Sequence, residues 1–145
     1  MARTLTVAGT AHPIHGMLAA YPLAFFTAAL VSDIAYANTA WMQWANFSVW
    51  LIAGGCVMAV LAALVGIVDA IRHRGRTRRR ASTLHGVLTV VMLVLAILNG
   101  FIHSRDGWTS VVPTGLILSA IVAALVVVTS WLGYAAEPAP TVETV

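Results

Sequence analysis

Charge is scarce in this sequence: 9% of its 145 residues are charged and 60% are hydrophobic, whereas about a quarter of a soluble domain is charged. Water is therefore excluded as the main solvent. Cysteine is almost absent too. Cys56 stands alone inside an apolar run, which excludes a disulfide framework and a cysteine-based zinc motif. A phosphate-binding glycine loop, a nucleophile elbow and a zinc-protease helix are also missing, so no familiar enzymatic motif is available.

What the chain has instead is four long apolar runs. They extend over about 14–36, 46–71, 82–102 and 111–132, each near the ~20 residues that a helix needs to cross a ~30 Å hydrocarbon slab. Only helices and closed barrels satisfy their backbone polar groups in lipid, so each run reads as a transmembrane helix. The short loops make sequential helices antiparallel neighbours. The expected fold is all-α, an integral membrane four-helix up-down-up-down bundle occupying residues 1–134 as one domain. Residues 135–145, with Glu137, Pro138, Pro140 and Glu143, have too little apolar content to fold and are expected to form a mobile tail. The first run is too long for a signal-peptide core and contains Pro22 and Asp33, which favours a retained span.

The few charges are placed informatively. Seven of the eight basic residues are Arg3 and the six arginines from Arg72 to Arg80, while residues 37–45 have no lysine or arginine. Positive loops stay inside, so the middle loop is expected in the cytoplasm, and with four spans both termini join it. Tyr36, Trp41, Trp44, Trp50 and Trp108 fall at the outer interface in this arrangement, and Trp131 and Tyr134 at the inner one. The arginine run suits anionic lipid headgroups. Nothing aromatic is interleaved with it for base stacking, which argues against nucleic acid as a partner.

Two patterns run along the helices. Gly55, Ala59, Ala62, Ala63, Gly66 and Ala70 form a small-residue stripe in the second run, most simply a surface for close helix packing in lipid. His15-Gly16-Met17-Leu18 and His85-Gly86-Val87-Leu88 open the first and third runs, and each histidine is followed 18 residues later by an ionisable residue, Asp33 and His103. Eighteen residues make five turns, so each pair shares a helix face, its members about 27 Å apart. The two halves thus read as parallel repeats.

An ionisable residue inside a span marks a candidate functional site. His12, His15, Asp69 and His85 belong to the cytoplasmic layer, and Asp33, Asn99 and His103 to the outer one. His12 and His15, three residues apart, share a face. Neutral imidazole is the commonest transition-metal ligand, and nitrogen with carboxylate suits zinc, iron, copper or manganese. Asp69 fits either as a ligand or as the carboxylate orienting a ligating ring. His15 and His85, at one depth on different helices, also suit the two axial positions of a haem b. The competing reading is a hydrogen-bonded knot that holds three helices together without a cofactor. A proton path is disfavoured by the apolar residues between the two layers. In the outer layer, Asp33 and His103 are expected to pair, with Asn99 one turn below His103.

His12-Pro13-Ile14-His15-Gly16-Met17-Leu18, Asp33, Gly66 with Asp69, His85 and Trp131-Leu132-Gly133 together resemble an uncharacterised bacterial membrane family, a four-helix domain of unknown function sometimes fused to a Rieske iron–sulfur domain. The resemblance covers about His12 to Gly133 and implies a bacterial plasma-membrane protein in redox chemistry, as anchor or electron relay. Members often carry a further histidine one turn after the first pair, where this chain has Ala19-Ala20, and the usual extension of the fourth helix is replaced by the proline-rich tail. No Rieske ligands are present, so a separate electron-transfer protein is the implied partner, beside the lipid bilayer. Four short helices bury little surface, which leaves room for a homodimer. The expectation carried forward is a metal- or haem-binding redox module built on His12, His15, Asp69 and His85, against a cofactor-free structural protein.

Overall fold

The computed structural model describes residues 13–72, 80–105 and 107–136, with side chains at 14–72, 83–105 and 107–134. Four helices account for nearly all of them: α1 (Pro13–Thr39), α2 (Met42–Arg72), α3 (Arg80–His103) and α4 (Thr114–Ala136). A short 3-10 segment, Gly107–Ser110, precedes α4. All four helices are long and apolar enough to cross a membrane. Large apolar side chains such as Val31, Trp50, Val90 and Phe101 point outward, as a lipid-facing surface requires. His12, the arginines at 74–79 and residues 137–145 lie outside the described residues, so the expectations placed on them are carried no further by the fold.

The helix ends differ from the expected ones for local reasons. Thr39 and Met42 leave only Ala40 and Trp41 as the first connection. Asn38 and Thr39 prolong α1 by donating to the Ile34 and Ala35 carbonyls at 2.7 Å each. Ala40 then turns with φ 55° and gives its N–H to Tyr36 at 2.7 Å, a left-handed helix end. At the connection from α3 to α4 the helix begins at Thr114, not at the expected Val111. A residue before proline avoids helical geometry, so Val112 stays outside, and the Pro113 carbonyl accepts the first bond, from Ile117 N–H at 3.1 Å. Pro22 is accommodated inside α1, as lipid-embedded helices allow.

α1 packs on α2 and α4, and α3 packs on the same two, so α1 and α3 sit diagonally. Phe26, Ala59, Met92, Ala96, Val122 and Val126 form the central core, drawn from all four helices. The small-residue stripe explains how α1 approaches α2: a Cβ on Gly55 would stand 2.5 Å from Phe26 Cε1. Ala59 and Ala62 are buried on the same face, whereas Ala70 is exposed. Nearer the α1–α2 connection, Tyr36, Ala45 and Val111 form a second apolar cluster. Tyr36 is buried there with its ring 5.4 Å from that of Trp108. It is thus a packing residue, unlike Trp41 and Trp50, which are exposed as a belt requires.

Candidate functional site

His15 lies in the first turn of α1 and His85 in the second turn of α3. Each ring reaches the neighbouring helix of its own hairpin. His15 Nδ1–H donates to the Ala62 carbonyl at 3.0 Å and His85 Nδ1–H to the Thr129 carbonyl at 2.8 Å. A carbonyl only accepts, so Nδ1 carries the hydrogen in both, and a neutral ring keeps its lone pair on Nε2.

A glycine makes room for each ring. Four residues beyond the accepting carbonyls lie Gly66 and Gly133, where a Cβ would stand 3.1 Å from His15 Cε1 and 3.3 Å from His85 Cε1. The arrangement therefore occurs twice, once per hairpin: histidine, helix carbonyl, glycine one turn on. The two imidazoles then meet across the bundle, with ring centroids 6.4 Å apart and planes at 85°. The other ends of α1 and α3 meet as well, through Asp33 and His103. Two parallel helices meeting at both ends is what a repeat related by an axis along the bundle would give.

The structure does not gather the whole expected inner cluster. Among the described residues no group of three or more His, Cys, Asp or Glu side chains stands close enough to hold a metal ion. Asp69 follows Gly66 by three residues, which turns it about 60° away from the face that seats His15. It lines a cleft of about 280 Å³ on the outside of the first hairpin with Ile14, Val68 and Arg72. A second cleft of about 400 Å³ is bordered by Thr83, Gly86 and Val90. Neither is lined by His15 or His85.

The outer cluster is more completely buried, and all four helices contribute to it. His103 Nε2 lies 2.9 Å from Asp33 Oδ1, with both side chains 0% exposed. Its Nδ1 lies 3.0 Å from the Asn99 carbonyl, one turn below. Ser48 Oγ stands 3.4 Å from Nε2, and the Asn99 amide donates to Ser119 Oγ at 2.8 Å. Gly115 closes the site, since a Cβ there would lie 2.8 Å from both His103 Cε1 and the Ser110 carbonyl. Sequence reasoning reached Asp33, Asn99 and His103 but missed Ser48, Ser119 and the three seating glycines. Gly66 stood in the small-residue stripe and Gly133 closed the Trp131-Leu132-Gly133 motif, but nothing in the sequence tied either to a histidine.

A family model described as a predicted membrane protein (DUF2231) matches residues 11–144. No curated protein and no solved structure matches the chain.

Proposed function

The chain belongs to the DUF2231 family of predicted membrane proteins, and we propose that it is a multi-pass protein of the bacterial plasma membrane in which His15 and His85 hold one transition-metal ion for electron relay. The observation that carries this reading is the pair of Nδ1 bonds to the Ala62 and Thr129 carbonyls. A ligating imidazole is normally oriented in this way by its other nitrogen. Centroids 6.4 Å apart bring the two rings near enough for both to reach one ion, given metal–nitrogen bonds of about 2.0–2.1 Å.

The residues fit a bare ion better than a haem. A porphyrin spreads on all sides of its iron, and the backbones of Gly66 and Gly133 already stand close beside the two rings. Copper or iron held by imidazole would supply one-electron chemistry. The protein contributes ring orientation and tautomer, and a separate electron-transfer protein would be the partner, since a single cysteine is too few for a Rieske cluster.

The competing reading is packing without a cofactor, favoured by the same two bonds, which tie each hairpin to itself. Their strength separates the readings. Side-chain hydrogen bonds between membrane helices average about 0.6 kcal/mol, so losing one leaves the bundle folded. His15→Ala and His85→Ala are each expected to insert normally and to drop from about one bound copper or iron per chain to none, read by elemental analysis of detergent-purified protein. Metal content that both variants retain removes these residues from the site. Metal-free wild-type protein after reconstitution, with only a small fall in Tm in the variants, leaves the packing reading.

The orientation follows from the arginine-rich segment between α2 and α3, which keeps that loop and both termini in the cytoplasm. Cysteines introduced at residues 75 and 41 in a Cys56→Ser background test it. The first is expected to resist an impermeant maleimide in intact cells and the second to react. Labelling in the reverse pattern inverts the topology and moves His15 and His85 to the outer side.

A further inference from the structure

The nearest hydrogen-bond partners of the His103 ring nitrogens, one at each nitrogen, are oxygens that accept. The Asn99 carbonyl faces Nδ1 at 3.0 Å. Asp33 Oδ1 faces Nε2 at 2.9 Å and Ser48 Oγ faces it at 3.4 Å, while the Ser48 hydroxyl donates its hydrogen to the Ala29 carbonyl at 3.3 Å. A neutral imidazole has one hydrogen; whichever nitrogen carries it, the other points a lone pair at an oxygen, the Asn99 carbonyl at 3.0 Å or, with Asp33 ionised, the carboxylate at 2.9 Å, which is repulsive.

Two arrangements remove the repulsion. Either His103 is an imidazolium beside a carboxylate, or Asp33 is a carboxylic acid donating to Nε2. Both contain the same atoms: one proton more than imidazole plus carboxylate, and zero net charge. Without that proton the pair leaves one negative charge buried away from water, which is costly unless paired. His15 and His85 differ, because among the described residues each meets a helix carbonyl at Nδ1 and no carboxylate.

A second observation points the same way. Asp33 Oδ2 and Asn99 Oδ1 are buried acceptors with no donor among the described residues, and buried polar atoms of this kind are ordinarily satisfied by protein or water. The cluster has hydrogen-bond capacity that only an incoming donor fills. Among the described residues its neighbours supply no competing charge: α2 contributes Ser48, α4 Ser119, and the 3-10 segment Ser110. The next ionisable residues along α1 and α3 are Tyr36, which packs on Trp108, and Arg105, which is exposed.

We propose that Asp33 and His103 form a proton-binding site at the outer end of the bundle, in which the pair shares one proton more than imidazole plus carboxylate and the oxygens Asp33 Oδ2 and Asn99 Oδ1 are where a donor enters. This site stands independently of the metal reading, because it rests on other residues at the opposite end of α1 and α3. The ligand class is a proton, delivered by a water or hydronium donor.

Solid-state NMR of the full chain in lipid bilayers at pH 7.5, with ¹⁵N-histidine and ¹³C-aspartate labels, tests it. The wild type is expected to show one histidine either protonated on both ring nitrogens or accepting at Nε2 from a carboxylic acid. In Asp33→Asn that histidine becomes a neutral ring with its hydrogen on Nδ1. Transfer to D₂O is expected to exchange the shared proton. A wild-type His103 that is neutral, in either tautomer, beside an ionised Asp33 overturns the proposal without any variant. A shared proton that fails to exchange over days overturns the access from water.

Discussion

His103→Ala is expected to destabilise the detergent-solubilised protein by about 3–5 kcal/mol, the usual cost of removing one partner of a buried ion pair. The loss has several sources. Asp33, 0% exposed, keeps its carboxyl group but loses its partner at 2.9 Å. Oδ2 of the same carboxyl group already has no donor among the described residues, so truncation leaves both oxygens unsatisfied. The Asn99 carbonyl loses the ring N–H, and a cavity replaces the imidazole against Gly115. Asp33→Asn is expected to cost less, because an amide is near the same shape and carries no charge. The double variant Asp33→Asn/His103→Ala should recover part of the single His103→Ala loss, since no buried carboxylate then remains. Reversible unfolding in mixed micelles measures all three. Equal losses for His103→Ala and the double variant would mean that the cost is cavity formation and not an orphaned carboxyl group.

Gly55→Ala should be the most damaging single methyl addition in the first hairpin. The new Cβ would stand 2.5 Å from Phe26 Cε1 and 2.8 Å from Cδ1. Phe26 has no free space in which to retreat: it is 1% exposed and packs with Ala59, Met92, Val122 and Val126. The hairpin must therefore open or the ring must leave its rotamer, and overpacking of this kind costs about 1–3 kcal/mol. Gly16→Ala and Gly86→Ala are the controls. Nothing lies within 4 Å of a Cβ at either position, so both are expected to be neutral or stabilising by up to about 1 kcal/mol through helix propensity. Phe26→Leu combined with Gly55→Ala should recover stability relative to Gly55→Ala alone, as contacting sites couple. Additive losses in that cycle would show that Gly55 matters for a reason other than the Phe26 ring.

The inner site illustrates how far residue spacing reaches. His15 and His85 stood out because an imidazole inside an apolar run is exceptional at any position. The repeat of His-Gly-x-Leu matched them further. Their acceptors, the Ala62 and Thr129 carbonyls, are backbone atoms, which a sequence cannot single out. Asp69 was grouped with them by depth alone, and depth leaves the direction around the helix undetermined. Asp69 lies on another part of α2, beside Ile14 and Arg72.

The sequence by itself determined the four apolar helices, their antiparallel order and the position of each ionisable residue along its helix. The bilayer imposes these locally, through the number of apolar residues needed to cross it and the need to satisfy each backbone group within its own helix. The pairing of Asp33 with His103 was also legible, but tertiary structure alone decided which further side chains meet them: Ser48 and Ser119 join Asp33, Asn99 and His103 in a cluster that spans residues 33–119. Reading such a site from sequence requires the rotation of each helix about its axis, and in a soluble helix the apolar stripe reports it. Here both the lipid-facing and the core-facing sides are apolar, so that stripe is lost. Rotation is set instead by where a glycine admits a ring: Gly55 under Phe26, Gly66 under His15, Gly115 under His103 and Gly133 under His85.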